Sequence, residues 1–408
     1  MHNKWLLVAL FNFLMAALMG LLLRFAFVWE ISWLDYRNMM HGHSHIAMLG
    51  WVYLALFALF THFFIPAKKS AKAFYSYLFW FTQFTVLGMM ISFPIQGYGA
   101  VSISFSALHI LASYLFAFKI WKDLNAQSSQ LRLLIKSSLI FMLVSTLGIW
   151  AMGSIVANNL QSSELYLLAV QFYLHFQFNG WFALAAVALI IYQLNLWGFH
   201  FEQKHLLRFF VLYVLALFLT FFHVLDWAYG ETYMYALNTA GVILQLGAFL
   251  QLVMPNRKQL MNVLGKQSGW EQLLIGFGLM SLAAKVIFQA ILIFPEVSII
   301  STVIRNFMIG YIHLTMLGFI TGCLFLMLYK HYRKQVSQLG ILFFIIGFIS
   351  TEAILFTQGI FYWQTWGMLP FYHEAIALAS VLLPLGIVLF MKNSISYQIS
   401  SDKIYVST

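Results

Sequence analysis

Apolar residues run along this chain in long stretches, each closed by a short polar or basic segment. A helix needs about 20 mostly apolar residues to cross the hydrocarbon core of a bilayer. Twelve stretches reach that length, roughly at 5–27, 42–65, 74–95, 101–121, 132–155, 166–193, 206–226, 235–254, 272–294, 303–329, 338–360 and 371–391. The pattern predicts an all-α integral membrane protein. Its twelve-helix transmembrane bundle occupies 1–408 as a single domain, with the lipid bilayer as its first partner.

The polar segments between the stretches sort by charge. Lys68, Lys69 and Lys72 follow the second stretch, and Lys122, Arg132 and Lys136 the fourth. Lys204 and Arg208 follow the sixth, Arg257, Lys258 and Lys266 the eighth, and Lys330, Arg333 and Lys334 the tenth. Lys392 and Lys403 lie in the tail. The alternate segments hold Glu30, Asp35, Glu164, Asp226, Glu231 and Glu296. Basic loops stay on the cytoplasmic side. The expected protein is multi-pass in a bacterial inner membrane, with both termini cytoplasmic.

Composition agrees. The chain is 62% hydrophobic and 8% charged, against about 25% charged in soluble domains. The net charge of +10 therefore reports topology rather than nucleic-acid binding. The only cysteine is Cys323. That excludes an intrachain disulfide, a cysteine-ligated cluster and a covalent c-type haem site on this chain.

Histidine is the unexpected residue. His41, His43 and His45 open the second stretch, and His45 is followed five residues later by Gly50. The same His-x4-Gly spacing returns at His175 with Gly180 and at His313 with Gly318. These near-equal intervals suggest three pseudo-repeated four-helix blocks, each with the motif on its second helix. The charge-based topology puts these histidines, with His109, His223 and His373, at a similar depth in the outer part of the membrane. An ionisable side chain in a span is costly and usually functional, and imidazole is a common ligand of haem iron and copper. The glycine beyond each histidine lets a flat ring or a neighbouring helix come close. His41 and His45 share a helix face while His43 points elsewhere.

The order of these residues resembles the catalytic subunit of the haem-copper oxidase superfamily, in the branch of the C-type oxidases and nitric oxide reductases. Ile309-Gly310-Tyr311-Ile312-His313, with Leu317-Gly318 beyond it, is similar to the family's tenth-helix motif. Val170-Gln171-Phe172-Tyr173-Leu174-His175, followed by Gly180-Trp181, is similar to the sixth-helix motif. Phe222-His223 resembles the seventh-helix histidine pair, with one member missing.

The resemblance implies a low-spin b-type haem held by His313 and by His45 or His41. It implies a second haem at Tyr311, where the family has a histidine, and copper or non-haem iron on His175 and His223. Implied partners are a cytochrome c-type or quinol electron donor and small accessory subunits. The expected function is electron transport through a bis-histidine haem in a divergent family member. One alternative is an intact oxygen or nitric oxide reductase, an oxidoreductase of respiration. The other is a haem or copper carrier or sensor without redox turnover.

Overall fold

A computed structural model describes residues 2–331 and 336–406. Arg333 and Lys334 lie outside the described residues, as do the side chains of His331, Lys392 and Lys403. The described chain is all-α, with no strand. Twelve helices are long and apolar enough to cross a membrane: α1 Asn3–Phe25, α2 Tyr36–Phe64, α3 Ala73–Gln96, α4 Ala100–Asp123, α5 Ser129–Ala157, α6 Glu164–Leu196, α7 Gln203–Tyr229, α8 Thr232–Val253, α9 Gly269–Ile293, α10 Arg305–Lys330, α11 Gln338–Trp363 and α12 Tyr372–Met391. The chain is a multi-pass membrane protein.

The expected spans match these helices with one instructive shift. α2 begins at Tyr36 rather than 42, because Asp35 caps it, its carboxylate accepting from the backbone N–H of Asn38 at 2.8 Å. His41, His43 and His45 therefore lie well inside the helix instead of at its entrance.

The chain folds into two compact units. Unit 1 comprises residues 1–125 and 328–408, and unit 2 residues 126–327. In unit 1, α11 and α12 meet through glycines: a Cβ on Gly340 would stand 2.7 Å from the carbonyl oxygen of Gly386. Small residues let helix backbones approach where lipid provides no hydrophobic drive for association. Trp5 of α1 stacks on Phe79 of α3 at 4.7 Å, and Phe13 of α1 on Trp51 of α2 at 4.6 Å. At the end of unit 1 with the basic loop, the buried carboxylate of Asp123 pairs with Lys69 at 3.1 Å and Lys119 at 2.7 Å, and accepts from the Tyr75 hydroxyl at 3.1 Å. In unit 2, α9 opens with a capping box between Ser268 and Glu271. It packs on α10 where a Cβ on Gly322 would meet the Gly278 Cα at 3.0 Å.

The three helices carrying His-x4-Gly differ from the rest in two ways. Their central windows are 83% (α2), 83% (α6) and 78% (α10) buried, against 28 to 56% for the other nine. Protein surrounds them, whereas the others give much of their surface to lipid. Each also switches to π-helical hydrogen bonding directly after its histidine, over Ile46–Tyr53, Phe176–Phe182 and Leu314–Ile320. The glycine of each motif lies inside that segment. A π turn adds one residue to the helical turn, and such turns gather at functional sites. It also bypasses carbonyls that the regular ladder would pair. Each segment has a side-chain donor for one of them. Asn12 of α1 donates to the Gly50 carbonyl at 3.1 Å, Tyr213 of α7 to Asn179 at 2.8 Å, and Thr321 of α10 itself to Met316 at 2.8 Å.

Candidate functional site

The candidate ligands fall into two groups, one in each unit. In unit 1 the three clustered histidines have separate jobs. His43 turns toward α1, where its Nδ1 lies 2.8 Å from the Ala16 carbonyl and its ring fills the space left by Gly20. It is a packing residue. His41 meets the edge of Tyr98, with ring centroids 4.7 Å apart, and its buried Nε2 finds no hydrogen bond.

His45 has the geometry of a ligand. Its Nδ1 lies 2.9 Å from the His41 carbonyl, one turn back on the same helix. A carbonyl only accepts, so Nδ1 carries the proton and the lone pair is on Nε2. That Nε2 makes no hydrogen bond among the described residues, and the ring keeps part of its surface open. Phe93 of α3 stacks on the imidazole at 4.0 Å and fixes its plane. An imidazole whose second nitrogen is tied to a backbone carbonyl is the usual arrangement of a metal-ligating histidine. His109 of α4 is in electrostatic range of His45. It is 2% exposed, lies edge-on to Tyr53 at 4.8 Å, and its Nε2 also finds no hydrogen bond. The donor set around His45 therefore fits one axial position of a haem.

Unit 2 holds His175, His223, Tyr311 and His313. His175 is the mirror case of His45. Its Nε2 donates to the Leu217 carbonyl of α7 at 2.8 Å, leaving the lone pair on Nδ1. His223, near the end of α7, has Ser298 Oγ 3.4 Å from its Nδ1. His223 is in electrostatic range of His175. Tyr311 lies two residues before His313 on α10, and its hydroxyl makes no hydrogen bond among the described residues. His313 is half-buried and immediately precedes the π segment of α10.

One residue of this group escaped the sequence reading. Lys285, well inside α9, is 1% exposed. Its ammonium donates to Gln289 Oε1 at 2.8 Å and stands 5.3 Å from the centre of the Tyr311 ring. It is also in electrostatic range of His175. A lysine in the interior of an apolar span is itself a signal of function. Attention to histidines alone passed over it.

No three His, Cys, Asp or Glu side chains among the described residues are grouped to hold a metal ion. His175 and His223 offer two imidazoles, fewer protein ligands than a metal centre of this kind takes. That set does not fit a second metal. No protein-family model and no curated protein matches the chain.

Proposed function

We propose that this protein binds a b-type haem in a bacterial inner membrane and carries electrons, with both termini in the cytoplasm. His45 is one axial ligand, and His313 is the ligand that the resemblance to haem-copper oxidase catalytic subunits assigns to the other position. The haem supplies a one-electron couple. The protein fixes the His45 ring through Phe93 and its tautomer through the His41 carbonyl, so that Nε2 is always the free base.

The observation that carries this reading is the His45 geometry, an oriented imidazole with an open Nε2 inside a membrane-spanning helix. The three protein-surrounded helices with π turns behind their histidines support it. A terminal reductase would need a further metal centre, and among the described residues no three His, Cys, Asp or Glu side chains are grouped to hold one.

A pyridine haemochrome assay with metal analysis on the purified full chain is the test. One b-type haem per chain and no further metal is the expected result. Two haems with one copper or iron would replace it with the reductase. A chain that retains no haem would replace it with the carrier or sensor.

A further inference from the structure

The corner of unit 1 where α2 and α4 end and α3 begins gathers positive charge. Residues 61–130 contain five lysines, Lys68, Lys69, Lys72, Lys119 and Lys122, and a single acid, Asp123. They lie in the last turns of α4 or in the segment that joins α2 to α3, which holds the short helix Ala67–Ser70. The main chain closes the corner, with the Asn125 N–H donating to the Phe64 carbonyl at 2.9 Å. Span ends of this kind stand at the membrane surface.

Asp123 sorts the lysines into two kinds. Its carboxylate is 5% exposed and holds one ammonium on each oxygen, Lys69 at 3.1 Å on Oδ1 and Lys119 at 2.7 Å on Oδ2. The Tyr75 hydroxyl donates to Oδ2 as well, at 3.1 Å. One carboxylate cannot neutralise two ammoniums, and each ammonium has three donors. Lys69 is 46% and Lys119 21% exposed, so both are open to a further partner. Lys68, Lys72 and Lys122 are exposed and form no ion pair among the described residues. Ordering a lysine side chain costs rotamer entropy. Asp123 has already ordered two of them, so an anion meets a preorganised pair.

The surroundings name the anion. Lys119 Nζ lies 5.7 Å from the centres of the Phe74 and Tyr75 rings. Phe74, Phe118 and Trp121 are 42%, 67% and 43% exposed on the same helix ends. Aromatic rings at a span end sit at headgroup depth, and a basic cluster there attracts anionic lipid. A free phosphate would use the lysines and leave the apolar rings uncovered.

We propose that Lys69 and Lys119, with Lys68, Lys72 and Lys122 around them, bind the phosphate of an anionic phospholipid whose acyl chains lie along the exposed aromatic residues of α3 and α4. Asp123 is the positioning residue. The inference concerns unit 1's surface and is independent of the haem reading.

The test is native mass spectrometry of the purified full chain in detergent, titrated with phosphatidylglycerol or with phosphatidylcholine of the same chain length. The wild type is expected to prefer phosphatidylglycerol. Lys69→Gln/Lys119→Gln should lower that affinity about thirtyfold, roughly fivefold for each lysine near an anionic surface, and leave phosphatidylcholine binding unchanged. Arg257→Gln/Lys258→Gln removes the same charge from a basic loop of unit 2 and should change neither. If the lysine pair variant does not insert, Lys69→Gln/Lys122→Gln, at two exposed positions, carries the comparison with the same expected loss. Equal binding of the two lipids overturns the proposal. So does an equal loss in the unit 2 control, which would mean bulk charge alone. So does displacement of phosphatidylglycerol by equimolar inorganic phosphate, which would make a soluble anion the ligand.

Discussion

His43 and Gly20 share one space. A Cβ on Gly20 would come within 2.8 Å of His43 Cε1, and the same imidazole reaches the Ala16 carbonyl at 2.8 Å. Two residues along the helix, His45 faces elsewhere with an open Nε2. On the proposed haem reading, His43 and His45 separate a packing role from a ligand role within one five-residue run. His43→Ala is expected to lower thermal stability in detergent while the haem spectrum persists. His45→Ala and His313→Ala should each insert and yet lose the low-spin spectrum. An unchanged oxidised and reduced spectrum in either of the last two would remove that residue as a ligand.

The π turns rest on side-chain donors. Asn12 is fully buried and bonds both Gly50 and Gln83, at 3.1 and 2.7 Å. Asn12→Ala strands the Gly50 carbonyl and an amide oxygen together, so it should cost about 2 kcal/mol. Tyr213→Phe removes only the donor to Asn179 and should cost about 0.6–1.5 kcal/mol, the range for interhelical hydrogen bonds in membranes. Thermal denaturation in detergent measures both. Equal costs would mean that the paired loss at Asn12 contributes nothing.

Backbone contact between α11 and α12 leaves no room at Gly340, where a Cβ would meet the Gly386 carbonyl oxygen and the Phe390 nitrogen at 2.7 Å each. Neither atom is the end of a flexible side chain. Gly340→Ala should destabilise by about 1–3 kcal/mol. Gly153→Ala is the control, since nothing lies within 4 Å of a Cβ there, and it should be neutral or slightly stabilising.

Topology is open to direct measurement. Reporter fusions after Lys69 and Lys204 should read cytoplasmic, and fusions near Glu164 and Glu231 periplasmic. One reversed position would break the orientation and the shared depth of the histidines with it.

A bis-histidine haem has no vacant coordination position. The reduced protein should therefore show no carbon monoxide difference spectrum. A strong high-spin signal on carbon monoxide addition would restore a five-coordinate haem and the reductase with it.

The sequence by itself determined the helices. Each run of about 20 apolar residues must satisfy its own backbone in lipid, and only a helix does so within one segment. Span number and span ends were accordingly legible, except at α2, where the local cap at Asp35 outweighed the hydropathy boundary. The His-x4-Gly repeat was legible as spacing, but its meaning was not. That a π turn follows each histidine depends on donors such as Asn12 and Tyr213, which come from other helices distant in sequence. The sorting of His43 from His45 was likewise decided by tertiary contacts, the Gly20 hollow for one and the open Nε2 for the other. Lys285 was visible as a letter. Only packing showed its ammonium enclosed between Gln289 and Tyr311, because the surroundings of a buried charge are set by neighbours that sequence order does not name.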